Sequence, residues 1–468
     1  MNHIYRIVWN QTTACWQAVC ETAKGHPRGT SRRASVKQSH SRLRPSHAAM
    51  LCGFGLMAST VGAAPTGGQV SAGAAFITQS GATTTIQQAS QRAAIDWTGF
   101  SVGKTESVRF NQPNASAITL NRVTGTERSD IQGSLSASGQ VFILNPNGVL
   151  FGKGAQVNVG GIVASTLRMS NEDFMAGNFR LTEGPNARAS VSNEGEIRVA
   201  EGGVLALIAP VVTNTGTLAA PQGSVLMAAA DAVSVTLQDG SLVSYTLDKG
   251  NLQALVDNGG VIHAEGGHVV LTAKGLDALS KAVVNHSGII EAQTVATKNG
   301  VVELLGDMEV GQVNLSGRVD ASEGSGLSGG KVETSAANVT VLDSALVSTS
   351  SALAYGDWSI RSRSPTVAQS GFSESSSIIS ATSLSKSLSN GNVSIFSIGN
   401  SENFLDITIN QSVSWTADTR LSLEAKRNIN INSNLALSGD HAGLSMVYGY
   451  THPITHISRL PELPCIAG

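Results

Sequence analysis

The sequence predicts an all-β chain, a right-handed parallel β-helix with short extra-helical loops or hairpins. Three observations point there. The composition is thin: 50 glycines, 4% aromatic and 14% charged residues in 468, which suits a repetitive β-structure better than ordinary globules. Apolar strands of only three to five residues recur, separated by glycine or asparagine. Finally, passages beginning at Asn193, Asn214, Asn258 and Asn285 repeat the order asparagine, glycine, branched residue, glycine and apolar strand, as in NEGEIRVAEGGVLALIA and NGGVIHAEGGHVVLTA. Those starts differ by 21, 44 and 27 residues, which fits a solenoid unit of roughly 20 to 27 residues.

From the N-terminus, residues 1–64 form a basic leader. They hold eight Lys/Arg and one Glu, so that of 31 basic and 33 acidic residues the rest of the chain keeps 23 and 32, a net of −9. An acidic body argues against nucleic-acid binding by phosphate neutralisation. A basic stretch, VKQSHSRLRPSH, precedes the apolar run AAMLCGFGLMASTVGAA, Ala48 to Ala64. Basic segment, apolar segment and small-residue exit are the layout of a secretory signal, with cleavage expected between Ala63 and Ala64. Cys15, Cys20 and Cys52 fall in the leader and Cys465 near the end. Once the leader is removed no intramolecular disulfide is available, and stability outside the cytoplasm has to come from the β-fold.

The body opens with short strands and reaches NPNGVLFGKGAQVNVGGIVAST, Asn145 to Thr166. Pro146 fixes φ at one corner of a tight turn, Asn147 tolerates the next position and Gly148 supplies the freedom to leave it. Residues 65–310 carry the densest strand signals, with Asn171–Ala189 as a loop or short helical excursion. Repeats continue over 311–360. Residues 361–392 are Ser-rich and are expected to form a linker or an irregular coil, after which a strand pattern resumes over 393–449. Residues 450–468 match nothing before them and form an atypical tail.

No single unit can bury a core, so coils must stack, each strand pairing in parallel with its equivalents above and below while Val, Ile, Leu and Ala form inward rows. Right-handed crossovers are the rule for parallel strands. Inward asparagines are expected to stack as hydrogen-bonded ladders. About 400 residues at roughly 22 per coil and about 4.8 Å per rung give a stack on the order of 80 to 90 Å.

Two sets of residues then carry a family resemblance. The leader, with Ile4, Tyr5, Trp9, Asn10, Trp16, Glu21 and Ala23, resembles the extended signal peptides of very large proteins exported by Gram-negative bacteria. The body, in TTTIQQASQRAAIDWTGFSVGKTESVRFNQPNASAITLNRVTG and IQGSLSASGQVFILNPNGVLFGKGAQVNVGGIVASTLRMSNEDF, closely resembles the two-partner secretion exoproteins, the filamentous haemagglutinins and high-molecular-weight adhesins. The likeness to their secretion domain covers roughly residues 70–310. A weaker one, GGKVETSAANVTVLDSALV and WTADTRLSLEAKRNININ, favours the adhesin branch. The resemblance implies delivery by the Sec machinery to the periplasm and capture by a dedicated outer-membrane β-barrel transporter. It also implies a secreted or surface-exposed product, with host-cell glycans or proteins as further partners. The secretion motif carries over to Asn145, Pro146, Asn147 and Gly148, with Asn111, Pro113 and Asn114 as a looser match. The alternative is a haem-protein-binding, cytolytic or contact-dependent toxin exoprotein using the same route.

Catalytic readings fail on spacing, and neither a cofactor nor enzymatic activity is expected. GFSVGKT, Gly99 to Thr105, has three residues between its glycines where a phosphate loop needs four. His263 and His268, five apart across a strand, turn and strand, share no obvious face, so no metal site is expected there. Asp231, Glu291 and Asp320 read as surface charges. A β-helical carbohydrate-active enzyme is a further class. Asn114, Asn285, Asn314, Asn338, Asn392 and Asn410 each open an Asn-x-Ser/Thr triplet.

Overall fold

The computed structural model describes the strands at 5–10 and 15–20, and residues 64–449 apart from 185–188, 296–297, 324–327, 374–375 and 400–405. The chain divides into two units, Met1–Ala58 and Ser59–Gly468. In the first, Tyr5–Asn10 pairs antiparallel with Cys15–Cys20. Ala63 and the tail 450–468 lie outside the described residues.

The second unit is a parallel β-helix. One coil shows the rule. Gln140–Leu144 lies on a first face, Val149–Phe151 on a second and Gln156–Val159 on a third, and Gly161–Ser165 returns to the first. There it pairs in parallel with the start of its own coil, Val141 opposite Ile162 and Ile143 opposite Ala164. Among the described residues the three faces hold 14, 12 and 11 strands. Because side chains alternate across a strand, every second residue enters the interior. On the first face Val141, Ile162, Leu205, Val225, Val269 and Val302 form one unbroken inward row. Each is buried, and burying a side chain of this size stabilises by roughly 1.5 to 3 kcal/mol.

Where a tryptophan enters the interior its N–H finds an acceptor, as buried polar groups must. Trp97 Nε1 donates to Asn121 Oδ1 at 3.1 Å, and Trp358 Nε1 to Thr334 Oγ1 at 3.0 Å. The N-terminal end is closed by antiparallel strands, Gln69–Ala72 against Arg92–Trp97 and Ala75–Ser80 against Thr83–Gln88.

The first face is unusual in its outward side as well. The outward row Ala94, Leu120, Phe142, Val163, Ala206, Leu226 and Val270 is apolar, and two excursions cover it. The first holds a helix, Asn171–Ala176, followed by Phe179–Leu181. Ser170 caps the helix by accepting from Asp173 N at 3.0 Å, and Gly177 ends it at φ 85°, a left-handed value suited to glycine. The second is a hairpin, Ala232–Gln238 with Ser241–Lys249, whose first strand pairs with Phe179–Leu181. Phe142, Phe174 and Phe179 meet beneath this cover with centroids 5.3 to 6.3 Å apart. The next positions in the row are Glu303 and Glu333, and the cover stops there. Tyr245 of the hairpin sits at that border, where burial pushes its hydroxyl pKa well up and Glu303 and Glu333 add to the effect.

Fourteen strands, hence thirteen steps of about 4.8 Å, stack over roughly 62 Å on the first face. This is shorter than the 80 to 90 Å expected, because the two excursions consume residues without adding rungs and the later coils exceed about 22 residues, with 30 from Val301 to Lys331 and 35 from Asp357 to Asn392. Residues 361–392, expected as a linker or irregular coil, contain Thr366–Ala368, Ile378–Ser380 and a helix, Ala381–Leu388. The strands pair within the second face, Val367 opposite Ile379 and Ile409.

An asparagine ladder forms inside the solenoid as expected. Asn193 Nδ2 donates to Asn214 Oδ1 at 2.8 Å, and Asn214 Nδ2 to Asn258 Oδ1 at 2.7 Å. The fourth rung is not Asn285 but its neighbour His286, whose Nδ1 is 3.1 Å from Asn258 Nδ2 and whose Nε2 is 3.1 Å from Arg318 O. Alternation explains this: Asn285 points outward, where its Oδ1 accepts from Asn314 Nδ2 at 2.8 Å.

Candidate functional site

The turn at Asn145 to Gly148 joins the first face to the second. Asn145 is fully buried, and its amide uses its whole bonding capacity. Nδ2 donates to Glu127 O and Ser129 Oγ, both at 3.0 Å, while Oδ1 accepts from Asn147 N at 2.9 Å and Asn147 Nδ2 at 3.1 Å. Gly148 N donates back to Asn145 O at 3.0 Å, and Gly148 adopts φ 115°, which excludes most side chains. Ser129 N donates to Gly148 O at 3.0 Å and Asn147 Nδ2 to Gly125 O at 2.9 Å. The turn is therefore clamped to residues 125–129, the corresponding corner of the coil before. The bonds to Gly125, Glu127 and Ser129 span the junction between rungs, whereas those among Asn145, Asn147 and Gly148 close the turn on itself, so seating the second rung on the first adds to a turn that is also locally bonded.

Pro146 and Asn147 are half-buried, and they line a cleft of about 410 Å³ with Gly125, Leu144, Arg168 and Met169. Arg122 lies at its edge, 3.3 Å from Asp96 and hydrogen-bonded to Asn171 of the covering helix. The cleft thus runs between the turn and the cover.

Asn111, Pro113 and Asn114 occupy a different corner, between Ser107–Asn111 on the third face and Ile118–Val123 on the first. All three are exposed. Asn111 Nδ2 donates to Gln87 Oε1 at 3.1 Å, and Asn114 Oδ1 accepts from Ser116 N at 3.1 Å and Ser116 Oγ at 2.9 Å. The structure does not bring this turn to the other. The residue that ties it to the next coil is Gln112, whose Nε2 donates to Gln140 O at 2.9 Å and whose Oε1 accepts from Gly139 N at 2.8 Å. Nothing in the sequence distinguishes Gln112 from its neighbours, since the partners that tie it to the next coil, Gly139 and Gln140, lie almost thirty residues downstream.

The GFSVGKT stretch forms no phosphate cradle. Gly103 N is committed to Glu106 Oε2 at 2.7 Å, and Val102 forms a bridge with Ile131. Ala64 is half-buried at the start of the described solenoid. Among the described residues, no helix is long and apolar enough to cross a membrane.

Comparison with known proteins agrees with this geometry. The family described as the TPS secretion domain matches residues 61–321. The chain belongs to that family. It is a two-partner secretion exoprotein with a TPS domain, and the extended signal peptide of the type V secretion system matches residues 1–49. Together they make it a secreted protein exported through the outer membrane, which implies Sec export and a partner transporter there. Two relatives, both named heme/hemopexin-binding protein and both from Haemophilus influenzae, are 36% identical over 251 residues and 32% identical over 244. The alignments cover 52% and 48% of this chain but 27% and 26% of the relatives, so the chain spans about a quarter of their length. The crystal structure of the HMW1 secretion domain from Haemophilus influenzae superposes with a TM-score of 0.59 at 23% identity, over 82% of this chain and all of that one. At this identity the likeness concerns the fold.

Proposed function

We propose that the two turns serve export in different ways. Asn145 and Gly148 are buried and bonded within the chain, so their part is to close the coil. Asn111, Pro113 and Asn114 are exposed, and with Pro146 and Asn147 at the cleft they are the positions a transporter can touch. The observation behind this reading is the fourfold bonding of the buried Asn145 side chain. In a Gram-negative host carrying the partner transporter, Asn145→Ala is expected to cut extracellular yield and to lower the stability of whatever chain is released. Asn114→Ala is expected to leave stability unchanged, with any loss of yield arising from weakened transporter contact. Equal stability of Asn145→Ala and wild type would refute the division.

For the released protein, the reading best supported is binding of a haem-carrying host protein, because both curated relatives are named for haem and haemopexin. Their names describe binding, and a binding role rather than a catalytic one is assigned here. Adhesion to host cells is the second reading, favoured by the adhesin-like pattern over 415–432. Immobilised haem-loaded haemopexin that retains the secreted chain supports the first. Attachment to host cells without such retention supports the second.

A further inference from the structure

The third face brings His263 and Glu265 of one coil together with Glu291 of the next. His263 ends the strand Val261–His263 and lies in register with Glu291 of Ile289–Glu291. Its Nδ1 is 2.8 Å from Glu291 Oε2 and 3.8 Å from Glu265 Oε1. Glu265 stands two residues on, at the corner where Gly266 turns with φ 66° and donates to Gln293 O of the next coil at 2.6 Å. One ligand atom from each of the three lies within 4.8 Å of the others. Among the described residues, no lysine or arginine forms an ion pair with Glu265 or Glu291.

We propose that His263, Glu265 and Glu291 bind a divalent transition-metal ion, zinc above all, in the folded solenoid. Zinc–nitrogen and zinc–oxygen bonds of about 2.0 to 2.2 Å in a tetrahedral shell put ligand atoms about 3.4 Å apart. The separations of 2.8 and 3.8 Å bracket that value. All three side chains are 35% to 38% exposed, so each can make the small rotation required and a fourth position stays open to water. An imidazole nitrogen in the set selects against calcium and magnesium, which take oxygen ligands. A simple histidine–carboxylate pair needs one acid, whereas a second carboxylate turned toward the first is a repulsion that a cation removes. His263 and Glu291 belong to adjacent coils, so the site exists only once those coils have stacked. Metal binding is thereby coupled to folding and would pin two rungs after export.

The test uses the full secreted chain without a histidine-containing tag, titrated calorimetrically with zinc chloride at neutral pH. About one ion per chain is expected, with affinity falling at least about tenfold in His263→Ala and in Glu291→Gln, a loss on the scale that even outer-shell partners produce. His268→Ala removes the other exposed histidine–glutamate pair, His268 Nε2 to Glu303 Oε2 at 3.0 Å, and is expected to leave the titration unchanged. Glu265→Gln, at the corner, provides a second ligand variant should either strand variant misfold, as judged by circular dichroism. Absence of saturable binding, survival of binding in both His263→Ala and Glu265→Gln, or equal loss in His268→Ala would overturn the proposal.

Discussion

The first face changes character along its length. From Arg92–Trp97 to His268–Ala273 it is buried on both sides, by the solenoid interior within and by the helix and hairpin without. From Val301–Leu305 to Arg420–Ala425 only its inner side is buried, and in the last strand, Gly443–Tyr448, the inward Met446 and Tyr448 are exposed as well. The strands record the difference: VLALIA and SVLMAA are apolar or small at nearly every position, whereas VVELL, KVETS and RLSLEA alternate. One backbone, with the same register and the same interior, carries two surface chemistries. The lesson is that the period of the hydrophobic pattern reports how many layers bury a strand, and a continuous apolar run in a solenoid marks an external cover.

Truncation under the cover should have the largest effect. Phe142 is 1% exposed and packs against Phe174 and Phe179, so Phe142→Ala is expected to lower stability by about 3 to 5 kcal/mol in urea unfolding. A much smaller loss would mean that the cover is loosely held. Next comes the turn at the margin of the covered half, where Asn145→Ala strands the bonded partners of a buried amide and is expected to lower stability by about 1 to 3 kcal/mol.

The ladder adds a pH dependence. Burial holds the His286 pKa below its ordinary value of 6.5, against opposing hydrogen bonds to Arg318 and Asn258. Below about pH 6.5 the unfolded chain takes up a proton that the folded ladder refuses, so stability falls as pH drops from there until the depressed folded value is passed. His286→Asn, which would continue the ladder with an uncharged amide, is expected to flatten this part of the profile. An unchanged profile would place the titrating group elsewhere. The smallest effect is expected at Ser394, which continues the row of Phe142 onto the bare half, through Ser359. Ser394→Ala should shift stability by no more than about 0.5 kcal/mol, and a larger change would show that this surface is also covered.

Much of this was legible in the sequence because the coils are short and their corners are marked by asparagine and glycine. The stacking of Asn193, Asn214 and Asn258 and the helical excursion after Met169 follow from that punctuation. The cover was not deduced, although the double-sided apolar strands signalled it, since the pattern does not say which segment provides the outer layer. The exchange of Asn285 for His286 turned on a one-residue shift of alternation that asparagine spacing does not resolve. Gln112 and the grouping of His263 with Glu291 depend on which residues meet on neighbouring rungs. Coil lengths, altered by each excursion, set that register.

The described residues between 64 and 449 build one stacked solenoid, and we propose that its NPNG-closed N-terminal part directs export by a partner transporter. The most direct test is the yield of chain in the culture medium of a Gram-negative host with and without that transporter, for wild type and Asn145→Ala in parallel. The account predicts wild-type release that depends on the transporter and is sharply reduced by Asn145→Ala. Release without the transporter, or equal release of the two chains, would contradict it.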